Sequence, residues 1–409
     1  MFDLVDHRLT VPLDYSNRNG RTIEIFAREV VPDGGRDLPM LVYLQGGPGQ
    51  ESPRPSTRPA QPPWLARALQ DYRVLFLDQR GTGLSTPFGP HTMANPRFES
   101  SADIAAYLTH FRADAIVQDT ERFREHLGLD TVSLLGQSFG GFTSLHYLTV
   151  ASSSLGEVYF TGGLPPVGRH CDDVYSATYR TQRAKNGEFY ARFPAAKTQV
   201  QRAIELCHTG KILLPGGTPL SSRLFRTIGS HFGFTGGDQT LAFLLERDPR
   251  SPAFGADVAS LLPFKGRNPL YAIIHESSYG DGCVTAWSGD RVMPSDFADD
   301  ETLFTSEHIF PWHFIDDVEL SPYAEVAEIL AGQEWPRLYD ADALREANTP
   351  CAAAVFTTDP FVDLEFSRET AALLPNLSTW ETADFDHNAI RVDGGVILDR
   401  LFNVVYDKV

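Results

Sequence analysis

Along this chain short, unbroken apolar runs alternate with stretches of helical periodicity. The runs at 40–44, 73–77, 157–161 and 352–357, with the one that opens the stretch 132–141, have the composition of strands buried on both faces. Two earlier segments, 5–15 and 22–31, alternate apolar with polar residues on either side of Ser16-Asn-Arg-Asn-Gly20, a hairpin signal. Between 112 and 127, Ile116, Val117, Thr120, Phe123 and Leu127 share one helical face and charges take the other. Each buried run ends in small or chemically active residues. The pattern predicts a mostly parallel sheet flanked by helices, with its site at the strand carboxyl ends.

That rhythm stops near 168. From there to 335 the chain is helix-like, at 175–192, 197–207, 222–232, 241–245 and 323–330, with Pro/Gly breaks at 214–217 and 264–269. The alternation then returns, with a helix at 366–374, a short strand at 379–382 and a closing helix at 396–405. An insertion explains a pattern that resumes better than a tail does. The expected division is an α/β core in two parts, 1–167 and 336–409, around a helical cap at 168–335.

Composition narrows the partners. The 409 residues exceed one ordinary domain, and 42% hydrophobic content supplies ample core. With 53 acidic against 35 basic residues the formal charge is −18, which disfavours nucleic acid and anionic membranes as partners. Cys171, Cys207, Cys283 and Cys351 lie far apart, with no C-x-x-C pair and no histidine at zinc-ligand spacing. Neither a disulfide framework nor a structural metal is expected. The N-terminus lacks a basic-then-apolar signal, and no run has the length of a membrane span. These features lead to the expectation of a soluble, cytoplasmic protein, with the oligomeric state left open.

Chemistry enters at Gly136-Gln-Ser138-Phe-Gly140. Glycines two positions either side of a serine, between a strand and a helix, permit a sharp turn that lifts the hydroxyl clear of the sheet. A plain glycine-rich strand end would read the same in isolation, so the neighbours decide. A serine nucleophile needs a base and a group to orient that base, in the chain order Ser, Asp or Glu, His for α/β-hydrolases. Of 12 histidines only His387 follows the resumed sheet pattern. Asp359, directly after the run at 352–357, is the candidate acid; Asp363 is the runner-up, placed to cap a helix beginning at 364. Two backbone amides, of Phe139 and of Gly47 in Gly46-Gly-Pro-Gly49, are the candidate oxyanion donors.

Gly46-Gly-Pro-Gly49, Asp78-Gln-Arg-Gly-Thr-Gly-Leu-Ser85 and Gly136-Gln-Ser-Phe-Gly-Gly141 together strongly resemble the proline iminopeptidase (prolyl aminopeptidase) family of α/β-hydrolases, in its larger type. The resemblance implies a serine exopeptidase without metal or cofactor. It would release N-terminal proline from small peptides through an acyl-enzyme, with Ser138, Asp359 and His387 as triad. The segments 271–279 and 304–312 resemble cap segments of that family, each bringing a glutamate. Glu276 and Glu307 are therefore expected at the substrate's ammonium group, with Phe139 and cap aromatics forming a slot for the proline ring. Two residues depart from the pattern: Gln45 stands where many members have histidine, and Pro360 follows the acid where another residue is usual. The Asp78-Gln-Arg80 string is expected to pack the loop beside the elbow.

The leading reading is an aminopeptidase. A carboxylesterase or a broader di- and tripeptide aminopeptidase would use the same triad, and a non-catalytic hydrolase-fold binding protein is the rival from another class. Ser138 argues against dehalogenase and epoxide-hydrolase relatives, whose chemistry needs a carboxylate nucleophile.

Overall fold

In the computed structural model, which describes residues 2–406 apart from 18 and 59, eight strands of the described residues form one sheet. They are β1 (Phe2–Pro12), β2 (Thr22–Pro32), β3 (Met40–Leu44), β4 (Arg73–Leu77), β5 (Val132–Gln137), β6 (Leu155–Thr161), β7 (Cys351–Phe356) and β8 (Leu377–Thr382). Their order across the sheet is β1-β2-β4-β3-β5-β6-β7-β8. The β1–β2 hairpin is antiparallel, with Leu9 opposite Ile25, and β2 runs antiparallel to β4. From β4 onward every pairing is parallel. Of the turn inside the hairpin, Arg18 lies outside the described residues.

The continuous apolar runs have a direct cause. Successive side chains of a strand point to opposite faces, and here both faces are covered. Leu41, Tyr43, Phe76 and Leu135 face a layer built by the helix Leu65–Ala68 and the closing helix Gly394–Tyr406. Val42, Leu44, Leu75 and Leu134 face the opposite layer, with α1 (Ala113–His126) and α2 (Phe139–Ala151). Each fully buried aliphatic side chain contributes roughly 1.5–3 kcal/mol. β1, by contrast, exposes most of its residues at the sheet edge and reads as alternating sequence.

Strands β6 and β7 are neighbours, Val158 beside Cys351, yet a long helical insertion separates them in sequence. It begins with α3 (Cys171–Arg192) and includes Ala196–His208, Gly237–Leu245, Pro252–Leu261 and Ala324–Ala331. Part of it has a core of its own around Phe189, Phe225, Phe254 and Phe304. Another part, with Tyr271, Ile274, Ile309 and Phe314, packs into the core of the sheet face that carries α2. Among the described residues no helix is long and apolar enough to cross a membrane.

The Asp78-Gln-Arg80 string braces the ends of β3 and β4. Arg80 is fully buried and gives two hydrogen bonds to Asp119, at 2.8 and 2.7 Å, and one each to the carbonyls of Leu13 and His110. A buried guanidinium is tolerated because its donors are met. Asp78 accepts from the amides of Ser52 and Leu84, and Gln79 Nε2 donates to the carbonyl of Gln45. This network fixes the start of the glycine loop.

Candidate active site

Ser138 sits between β5 and α2 with φ 55° and ψ −123°, a conformation that side chains rarely adopt. The glycines around it are required by contact. A Cβ on Gly136 would lie 2.5 Å from the carbonyl oxygen of Gly140, and one on Gly140 would lie 1.8 Å from that of Leu44. The Ser138 amide donates to the Thr161 carbonyl over 3.0 Å, tying the elbow to the end of β6. The serine hydroxyl is thereby held over the carboxyl edge of the sheet.

Ser138 Oγ lies 2.9 Å from Nε2 of His387, and Nδ1 of His387 lies 2.6 Å from Oδ2 of Asp359. The chemistry of the chain of three gives each hydrogen its direction: the hydroxyl donates to Nε2, and Nδ1–H donates to the carboxylate. Both histidine and aspartate are buried, while the serine is half-buried. Pro360 does not disturb the acid, because the amides of Phe361 and Val362 donate to Asp359 Oδ1 at 2.8 and 3.2 Å. Asp363 takes the other role foreseen for it, accepting from the amides of Glu365 and Phe366 at the start of helix Leu364–Ala371.

The His387 loop is braced from the insertion. The His387 amide donates to the carbonyl of Gly233 over 3.0 Å, and the Phe361 ring meets the imidazole edge-on at 4.8 Å. Gly162 approaches from the sheet, and a Cβ there would stand 3.0 Å from Nδ1 of His387.

A cavity of about 210 Å³ opens on Ser138 and His387. Gly46 and Gly47 line it, and a Cβ on Gly46 would come 3.1 Å from that of Ser138. Among the described residues the amides of Gly47 and Phe139 donate to no protein acceptor. The Phe139 ring, expected against the substrate, instead packs on Phe142 in the core, because the first turn of α2 points it inward; Phe234 and Tyr271 supply the aromatic lining.

Of the two cap glutamates, only Glu307 lines this cavity. Ser306 Oγ donates to the Pro360 carbonyl, which sets the 306–308 segment against the Asp359 loop. The Tyr271 hydroxyl donates to Glu307 Oε1, and no other hydrogen bond reaches that carboxylate among the described residues. Burial is the main cause that pushes the Glu307 pKa up to about 7; the neighbouring His387 and Arg391 pull against it and Asp359 adds to it. Glu276 lies elsewhere, beside a separate cavity of about 10 Å³ walled by Ala272, Trp287 and Trp335. Its Oε1 accepts from the Gly289 amide at 3.2 Å, and among the described residues its Oε2 accepts no hydrogen bond of normal geometry. Burial raises its pKa to about 7 as well. The spacing of two similar motifs does not tell which glutamate turns toward the serine.

Folding also joins residues that sequence spacing had separated. His170, Cys171 and Cys283 bring their ligating atoms within 4.8 Å of one another, away from the Ser138 cavity. His170 Nδ1 is engaged as the cap of α3, accepting from the Asp172 amide, and both thiols are free.

A mostly parallel sheet of this order, bearing an elbow serine hydrogen-bonded through histidine to aspartate, defines a protein of the α/β-hydrolase class, and a model of the alpha/beta hydrolase fold matches residues 39–208. The chain is 43% identical to a proline iminopeptidase of Aeromonas sobria, over 98% of this chain and 96% of that protein. It is 30% identical to a proline iminopeptidase of Aspergillus aculeatus, over 98% of this chain and 93% of the other. A solved proline iminopeptidase of Mycobacterium smegmatis aligns with 98% of this chain and 100% of its own, at 14% identity and a TM-score of 0.46. The chain belongs to the proline iminopeptidase family.

Proposed function

We propose that this chain is a serine aminopeptidase that releases N-terminal proline from small peptides. The observation that carries the reading is a carboxylate, Glu307, in the same cavity as the Ser138–His387–Asp359 hydrogen-bond chain. An esterase has no need of an acid group there, whereas an exopeptidase must recognise an ammonium next to the bond it cuts. Glu307 pairs with that ammonium. Glu276, walled off from the serine, is given no contact with substrate.

With the amine so placed, Ser138 Oγ attacks the scissile carbonyl carbon as its proton passes to His387 Nε2. Asp359 holds the Nδ1–H and stabilises the imidazolium. The carbonyl oxygen becomes an oxyanion that accepts from the amides of Gly47 and Phe139. Collapse breaks the C–N bond, and the departing amine takes the proton from His387. Water then attacks the prolyl ester by the same route, returning proline and free Ser138. The free thiols at all four cysteines fit a reducing compartment such as the cytoplasm.

The test compares prolyl anilide, acetyl-prolyl anilide and a simple acetate ester. Turnover of the free amine alone is expected. Equal turnover of the acetylated anilide sinks the assignment of Glu307, activity on the ester alone makes the protein a carboxylesterase, and silence on all three makes it a binding protein.

A further inference from the structure

The cavity around Ser138 contains a cation that this chemistry leaves unused. Arg391 lies on the short helix Ala389–Val392, just past His387, and lines the cavity together with Ser138 and Glu307. Its Nη2–H donates to Gln137 Oε1 over 2.9 Å. Gln137 is buried next to the nucleophile, and its Oε1 lies 2.7 Å from where a Cβ on Gly46 would stand. One neutral hydrogen bond therefore pins the guanidinium beside the oxyanion loop.

Among the described residues no carboxylate pairs with Arg391. Arg54, Arg80, Arg223 and Arg368 each hold one. In a chain with 53 acidic and 35 basic residues, a guanidinium without an acid partner keeps most of its five N–H donors for a ligand. Glu307 is half-buried and Arg391 is exposed, and the two line one cavity, near enough that the guanidinium acts on the carboxylate through space. At about 210 Å³ it is smaller than the roughly 300–1,000 Å³ of sites for drug-sized ligands. A residue or two fills it.

We propose that Arg391 binds the free C-terminal carboxylate of a short peptide whose ammonium sits at Glu307, so that the enzyme reads both ends of its substrate and favours prolyl dipeptides. The inference rests on the aminopeptidase reading above. A carboxylate meets the planar fork of arginine with two parallel hydrogen bonds, which an amide terminus cannot do. Longer peptides carry their carboxylate past Arg391 and lose the contact.

The experiment measures kcat/KM for prolylglycine and for prolylglycinamide, and follows their ratio. In the wild type the ratio is expected to favour the free carboxylate by about tenfold, the size of a hydrogen bond to a charged group, mostly through KM, and to shrink as ionic strength rises. In Arg391→Gln the ratio falls toward one, and Arg391→Lys restores part of it. A wild-type ratio near one overturns the proposal. So does an Arg391→Gln enzyme that loses activity on both substrates equally and keeps the ratio, since that marks a merely structural arginine. Prolyl anilide separates the two readings: if it is turned over while the ratio is one, the aminopeptidase stands and the carboxylate subsite falls.

Discussion

Gly140 and Leu44 approach so closely that a Cβ on the glycine would lie 1.8 Å from the leucine's carbonyl oxygen. The first turn of α2 thus rests directly on the end of β3, and the elbow and the oxyanion loop are set by one backbone contact. Gly140→Ala must push the two apart. The expected cost is about 3 kcal/mol or more, read as a lower denaturation midpoint, with activity lost in whatever protein folds. Gly187→Ala is the control, since a Cβ there meets nothing within 4 Å on the exposed face of α3. It should stabilise by about 0.5–1 kcal/mol. Equal effects at the two positions contradict the contact argument.

Asp359 and Asp363 are four residues apart and have different work. Asp359→Asn keeps the fold but cannot hold the imidazole tautomer, so kcat should drop by roughly a thousand- to ten-thousandfold. Asp363→Ala removes the cap of helix Leu364–Ala371 and should cost about 1 kcal/mol of stability, with kcat falling far less than in Asp359→Asn. Reversed outcomes would make Asp363 the acid.

Glu307 predicts how ligand binding depends on pH. With its pKa pushed up to about 7 by burial, the empty site holds a protonated carboxyl below that value and must release the proton to pair with an ammonium. Affinity of prolinamide for the Ser138→Ala protein, measured by calorimetry, should therefore weaken as pH falls from 8 to 5.5, approaching about tenfold per pH unit at the acid end. Glu307→Gln should weaken binding at pH 8 and flatten the profile. An unchanged slope in that variant would move the titration to another group.

Glu276 predicts a pH dependence of stability. Its folded pKa, raised to about 7 against an ordinary value of 4.5, means the native state holds its proton more tightly than the unfolded chain does. Stability from this group is fully present below pH 4.5 and is lost as pH rises through about 7. Glu276→Gln keeps an acceptor for the Gly289 amide and removes the titration. Its melting temperature should exceed the wild type's at pH 8 and match it near pH 4, and a constant difference across that range would exclude the burial argument.

The core was legible in sequence because a parallel sheet buries both strand faces, and two-sided burial leaves uninterrupted apolar runs such as 40–44 and 73–77. The strand ends then announced Ser138, Asp359 and His387. The insertion was legible only as helix. Which glutamate faces the serine depends on how 271–279 and 304–312 turn against the Asp359 loop, and no periodicity encodes that turn. Phe139 is a related case: its ring packs on Phe142 in the core. Tyr271 opens the 271–279 segment, whereas Arg391 carried no motif. Arg391 had one signal, its place four residues after the candidate base.

The hydrogen bond from the His387 amide to the Gly233 carbonyl binds selectivity and reactivity into one object. The insertion that contributes Glu307 and Phe234 to the cavity also anchors the loop of the base. Exchanging this insertion for that of a relative would transplant a substrate preference and at the same time remove a support of the imidazole. In this protein, then, new specificities are more accessible by point changes inside the existing insertion than by grafting another.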